Sequence, residues 1–277
     1  MTPQISAVVN TRNAERYLEY ALRSLVPWTD EVVVADMASE DRTVEIANSH
    51  GARVVEVPQA RFVEPARAAA VSHARNEWVV VLDADEIIPK RLSEELLETA
   101  RTARADVVYI PRQNYIMGAP LRSTGWGPDQ DRQPRFFRKG LLEFSDEIHS
   151  LPRPAPTARV EKLKFSRGLA IVHFNYVDVA DFIDRMNRYT TVEAEQSLVR
   201  RGSRRRTGPG AMSTFVRRYL KGRGYRDGWR GLYLSLFMAF YRLLTNAKVR
   251  ERQESGDGAA VVESYRREAE SLLQEYG

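Results

Sequence analysis

The chain has 277 residues, 43% of them hydrophobic and 29% charged, with a formal net charge of +5. Those values describe an ordinary globular protein, either one large domain or one domain with an appendage. Cysteine is absent, which excludes a disulfide framework and thiol chemistry and fits a reducing cytoplasm.

The first residues run directly into a strand-like stretch, without a basic segment ahead of an apolar one, so no secretory signal is expected. Residues 5–9 read as a strand and 10–13 as a polar turn. Residues 14–25 have helical spacing, with Leu18, Ala21, Leu22 and Leu25 on one face. A second strand, 31–35, ends at Asp36, and Asp41 is placed to cap a helix over 44–50, with Gly51 as its stop. Residues 53–57 predict a third strand and 65–74 an alanine-rich helix. A fourth strand ends in the Asp83-Ala84-Asp85 turn, and a helix follows over 93–104. This repeated strand–turn–helix order predicts a parallel, Rossmann-like α/β sheet.

The pattern changes after Asp106. Residues 107–111 and 113–117 read as two strands, and 121–133, rich in Gly, Pro, Asp and Trp, as a loop over the site. Residues 135–138 and 170–174 are further strands. A helix over 179–200 carries Phe182, Met186 and Tyr189 at helical spacing. A basic linker over 202–210 leads to an almost wholly apolar helix at 229–244 and a polar helical tail. The expected division is a catalytic domain over 1–200, with halves 1–106 and 107–200, and a helical, basic region over 201–277. Between residues 200 and 252 the acids are Asp227 and Glu251 alone, so the positive charge belongs to the C-terminal third.

Val79-Val80-Val81-Leu82-Asp83-Ala84-Asp85-Glu86 carries the most chemistry. Four apolar residues suit a buried parallel strand, and ligands of open α/β sheets bind beyond the carboxyl ends of such strands. Two carboxylates separated by one small residue offer hard oxygen donors for Mg²⁺ or Mn²⁺ bridging to a diphosphate. His173, after an apolar strand, suits a phosphate donor or a metal ligand. Arg185 and Arg188 share a helix with Tyr189 and are spaced to clamp phosphate.

Taken together, Val8-Val9-Asn10-Thr11-Arg12-Asn13, the run from Asp30 through Asp36 to Thr43, Arg67, Trp78 and Leu82-Asp83-Ala84-Asp85-Glu86 resemble a family 2 glycosyltransferase of the GT-A fold. Glu147-Ile148-His149, His173-Phe174-Asn175-Tyr176 and Arg226-Asp227-Gly228-Trp229-Arg230-Gly231 are similar to its bacterial lipopolysaccharide-core and cell-surface glucosyltransferase subgroup. The resemblance implies inverting transfer of a sugar, most simply from a UDP-hexose, to a hydroxyl of a cell-surface glycan or lipid-linked acceptor. It implies that Asp36 holds the base or ribose, with Thr11 and Asn13 lining the same pocket and Arg67 facing the donor. It makes Asp85 the direct metal ligand, with Asp83 on the metal, on a metal-bound water or on ribose. The base that inversion requires falls to Glu147, with Asp146 the alternative and Asp129 and Asp131 further carboxylates.

The 229–244 stretch is too short to span a bilayer, which takes ~20 residues. Its aromatic and basic flanks suit an anchor on an anionic leaflet, giving a peripheral protein at the inner face of the plasma membrane. Packing against the catalytic domain or a second subunit is the alternative. Two other readings compete. An Asp-x-Asp phosphotransferase also sets two carboxylates after a buried strand. The arginine-rich run at 200–206 suits nucleic acid, although no aromatic residues interleave it and no nucleic-acid partner is expected.

Overall fold

The computed structural model describes residues 3–59, 63–144, 151–199, 210–256 and 258–276. Strands β1 (Ile5–Thr11), β2 (Glu31–Asp36), β3 (Arg53–Glu56) and β4 (Trp78–Asp83) alternate with helices α1 (Leu18–Leu25), α2 (Thr43–Ser49) and α3 (Val63–Ser72). The strands pair in parallel in the order β3-β2-β1-β4. All seven residues of β1 are buried, as a parallel strand covered on both faces requires. Alternate residues feed opposite layers. Ile5, Ala7 and Val9 pack with Leu18, Leu22 and Leu25 of α1, whereas Val8 packs with Ala66 and Ala70 of α3.

The chain continues through β5 (Glu86–Ile87), α4 (Lys90–Thr102), β6 (Val107–Ile116), β7 (Ala119–Pro120), β8 (Arg132–Arg138), β9 (Leu142–Glu143), β10 (Arg153–Pro154), β11 (Val160–Lys162) and β12 (Ile171–Phe174). Strand β8 joins the parallel half to the rest, antiparallel to both β4 and β6, and β12 then runs parallel to β6 with β5 at the edge. The two strands expected over 107–117 are one, bent by an irregularity in its pairing with β8 between Val108 and Tyr109. Pro111, which reads as a strand end, lies inside it.

Four helices complete the chain: α5 (Val179–Val199), α6 (Ala211–Val216), α7 (Gly228–Ser255) and α8 (Gly258–Leu273). A π-helical turn, Arg217–Lys221, follows α6. Phe182 and Met186 of α5 pack with Leu234 and Tyr241 of α7 and with Ile116 and Leu121, forming a third core around the end of β6. Among the described residues, no helix is long and apolar enough to cross a membrane.

Strand β1 is the switch point of this topology: crossovers lead from it through β2 to β3 on one side, and β4 lies on the other. Such a point opens a crevice at the carboxyl ends of the strands. Asn10 and Asp83 are register partners there.

One polar anchor fixes the start of β6. Asp106 accepts hydrogen bonds from the Arg159 backbone N–H at 2.9 Å and from Nε and Nη2 of the same residue at 2.8 Å each. The Arg159 hydrogen bond, against the opposing effect of burial, holds the Asp106 carboxyl at about 2 instead of 3.8. A folded value below the unfolded one gives stability that is full above the unfolded value and disappears as pH falls through the folded one. Asp106→Asn should therefore cost about 1–3 kcal/mol at neutral pH. Urea unfolding should show the cost shrinking toward pH 2, and an equal cost at both pH values would rule out the ion pair as its cause.

Candidate active site

Beyond the ends of β1 and β4 opens a cleft of about 1360 Å³. Its walls include Asn10 from β1 and Asn13 just after it, Asp83 at the end of β4 and Asp85 after it, His173 from β12, Arg185 and Arg188 from α5, and Met238 and Arg242 from α7.

Beside it lies a chain of buried charges. Asp83 accepts from Arg67 Nη2 at 2.6 and 2.9 Å and from Arg135 at 2.5 and 3.3 Å. Burial raises the Asp83 carboxyl, but the charges of Arg135 and Arg67 outweigh it and hold the group well below the usual carboxylate range. Glu86, fully buried, accepts from the Asp83 backbone N–H at 2.9 Å, from Arg112 at 3.1 Å and from Arg135 at 3.3 Å. Arg112 donates on to Asp131 at 2.8 Å. Three guanidinium groups (Arg67, Arg112, Arg135) thus face three carboxylates (Asp83, Glu86, Asp131), and the set is internally neutral.

The network ends in a tautomer. Asn114, fully buried, donates through Nδ2 to the Trp126 carbonyl at 2.9 Å and to Asp131 Oδ2 at 2.8 Å. Its Oδ1 must then accept, so His173 Nδ1–H donates to it at 2.7 Å. Nε2 lies 3.4 Å from Asp85 Oδ1, an ion pair when the ring is protonated and a lone pair facing a carboxylate when it is neutral. Either a proton or a metal ion between the two satisfies that geometry, since two bare acceptors repel. Asp85 and an imidazole backed by an amide could hold a divalent ion here, and the mixed oxygen and nitrogen donors suit Mn²⁺ better than Mg²⁺.

Several expected site residues fall elsewhere. Asp83, expected on the metal, on a metal-bound water or on ribose, accepts from Arg67 and Arg135 through both oxygens, while Asp85 is the carboxylate that faces His173. Arg67 lines the cleft but spends its charge on Asp83. Asp36 is 3% exposed and does not line the cleft. It accepts from Thr11 Oγ1 at 2.9 Å and from the Ser39 N–H at 2.9 Å, closing the turn after β2. Thr11 is buried with it, while Asn13 reaches the cleft wall. Asp41, expected as the helix cap, lies one residue before the N-cap position Arg42, accepts from the Thr43 N–H at 3.0 Å and also lines the cleft. Asp129 is exposed and paired with Arg132, Asp131 belongs to the network, and neither lines the cleft. Asp146 and Glu147, with the basic run at 200–206, lie outside the described residues.

Arg185 donates to Asp181 at 2.8 Å and lies over the Tyr176 ring, 5.1 Å from its centroid. Arg188 lies over Tyr189 at 5.3 Å. Sequence reasoning missed Asn10 as a site residue: its side-chain nitrogen and oxygen are both buried without a partner among the described residues, and it lines the cleft. It also missed Asn114, and Trp126 and Arg218 on the wall, although the loop over 121–133 does reach the site.

Comparison with known proteins gives the family. Residues 6–163, more than half of the chain, match the model for Glycosyl transferase family 2. An uncharacterised glycosyltransferase of Rickettsia typhi is 27% identical over 266 residues, spanning 90% of this chain and 87% of its own. One of Rickettsia prowazekii is 26% identical over 280 residues, spanning 95% and 92%. Among solved structures, glucosyl-3-phosphoglycerate synthase of Mycobacterium tuberculosis, in complex with Mn²⁺, UDP and phosphoglyceric acid, is 27% identical with a TM-score of 0.35, over 42% of this chain and 44% of that one. S. aureus TarS, residues 1–349, is 19% identical with a TM-score of 0.49, over 92% of each chain. The chain belongs to glycosyl transferase family 2 and is a nucleotide-sugar-dependent glycosyltransferase.

Proposed function

We propose that the chain transfers a hexose, with inversion, from its UDP-sugar to a hydroxyl of a cell-surface glycan or lipid-linked acceptor at the inner face of the plasma membrane. The observation that carries the metal-dependent part is the Asp85–His173 pair, left with a carboxylate charge beside a network that balances its own. Asp85 and His173 would hold Mg²⁺ or Mn²⁺, which when bound would supply positive charge to the departing diphosphate.

The remaining tasks fall to side chains. Asn10 offers an unused donor and acceptor to base or ribose at the switch point. Asp83, fixed by two arginines, keeps a rigid acceptor edge for a ribose hydroxyl. Arg185 and Arg188 add cations to the wall beside the diphosphate. Glu147, or Asp146 in its place, takes the proton of the attacking hydroxyl. The phosphotransferase alternative needs a free nucleophilic aspartate after β4, and the double arginine grip on Asp83 opposes that use. Calorimetry should show UDP binding to the wild-type chain with Mn²⁺ and not with chelator, and Asp85→Ala or His173→Ala should weaken it at least about tenfold. Equal binding in chelator, or unchanged binding in both variants, would remove the metal from the donor site.

Membrane contact is supported by one face of α7. Trp229, Tyr233, Leu236, Phe240 and Leu243 recur at four- and three-residue steps, and each is 44–53% exposed. Leu220 and Tyr225, also exposed, precede that stripe, and Lys221, Arg223 and Arg226 lie exposed among them. Apolar and aromatic side chains with cations beside them suit an anionic leaflet. The full chain should sediment with phosphatidylglycerol vesicles and not with phosphatidylcholine alone. Phe240→Asp should weaken that binding by roughly tenfold. A chain that ignores both vesicles but sediments as a dimer, broken by the same substitution, would assign the stripe to a second copy.

A further inference from the structure

Among the described residues, Arg218 is a cation on the cleft wall with no acid to answer it. It lies over the Trp126 ring, 4.5 Å from its centroid, and Nη1 donates to the Thr124 carbonyl at 2.6 Å. That is its one hydrogen bond among the described residues, no carboxylate there comes within ion-pair distance, and Nε is buried without a partner. Burial, then the positive charges of Arg217 and Arg242, pull its guanidinium down to about 10. Leaving a buried charge unmatched is costly, and proteins do so where a ligand completes the pairing.

The surroundings are built to hold this arrangement. Thr124 sits at φ +63°, a strained value for a β-branched residue. Its hydroxyl donates to Asp227 Oδ2 at 2.7 Å, while Asp227 Oδ1 accepts from the Arg122 N–H at 2.8 Å. Gly125 follows at φ +83°, and a Cβ there would come 2.8 Å from Arg218 Nη1. The guanidinium therefore rests against bare backbone on one side and an indole on the other, on a π-helical turn of the kind often found at functional sites. Arg242, the nearest other cation on this wall, is partly offset by Glu193 at 3.7 Å.

We propose that Arg218, stacked on Trp126 with Arg242 beside it, is a subsite for an oxyanion, phosphate or carboxylate, carried by the acceptor. This rests on reading the cleft as a donor–acceptor site. The acceptor is favoured over the donor diphosphate by position. Arg218 is held by Thr124 and Trp126 of the loop over the cleft, whereas Arg185 of α5 donates to Asp181 and, at 3.5 Å, to the carbonyl of Asn175, two residues after His173. The diphosphate beside the Asp85–His173 pair therefore has Arg185 nearer to hand.

The test is calorimetric titration of inorganic phosphate into the full chain at constant ionic strength, alone and with UDP and Mn²⁺ saturating. Phosphate should bind in both states. Arg218→Gln should weaken it about tenfold or more, and Arg218→Lys, which keeps charge but loses the planar stack, should fall between. UDP–Mn²⁺ affinity should stay within about threefold of wild type in both variants. No phosphate binding to the wild type, or equal binding in Arg218→Gln, overturns the proposal. So does phosphate excluded by UDP–Mn²⁺ together with lost UDP affinity in the variants, which makes Arg218 part of the diphosphate site. If melting shows Arg218→Gln unfolded, phosphate binding by Arg218→Lys decides, an undiminished affinity counting against the subsite. Failure of UDP–Mn²⁺ to bind the wild type, with Arg218-dependent phosphate binding intact, would instead remove the donor reading and leave the anion subsite.

Discussion

Glu86 is fully buried and ionisable, and the rest of the site depends on how its charge is met. A lone buried carboxylate costs several kcal/mol, and truncating one partner of a buried pair typically costs about 3–5 kcal/mol. The chain answers by converging six side chains from separate places. Arg67 comes from α3, Asp83 from β4, Glu86 from β5, Arg112 from β6, Asp131 from the loop before β8 and Arg135 from β8. Each needs at least one of the others, so the parallel and antiparallel halves of the sheet are pinned where the cleft opens. Because the set is neutral, Asp85 is left to act outward.

Asn114 then joins two parts of the cleft. One amide fixes the His173 tautomer through its oxygen and the Trp126 carbonyl through its nitrogen. The indole that carries Arg218 and the imidazole that faces Asp85 are therefore positioned by the same side chain. An aspartate at 114 would have the size and the wrong hydrogen-bond pattern, having no N–H to offer.

The parallel half was legible because its code is local. Runs of buried β-branched residues, caps and glycine stops lie within a few residues of what they determine, and β1, β2 and β4 fall within about two residues of expectation. The rest is written in contacts between distant positions. Asp-Ala-Asp does not reveal which aspartate is free, since the answer lies with Arg67 and Arg135, 16 and 52 residues from Asp83. Asp36 is ambiguous for the opposite reason. Its partners Ser39 and Thr11 close a turn, and a strand-end acid looks the same whether it serves turn or ligand. Strand β6 was split in two because Pro111, Arg112, Gln113 and Asn114 resemble a break, yet two of those polar residues are network members. Arg218 was invisible as a site residue because its hydrogen-bond partner is 94 positions away.

Helix α7 presents Met238 and Arg242 to the cleft on one side and Trp229, Tyr233, Leu236, Phe240 and Leu243 to the exterior on the other. At 100° per residue these sets are nearly diametrically opposed, so the helix itself is the partition between outer surface and reaction space. A helix with its side chains is about 10–12 Å thick. An acceptor tethered to whatever rests on the outer stripe needs a leash no longer than a few sugar rings to turn the corner. Reach, as much as pocket shape, thereby becomes a criterion for which acceptors are served.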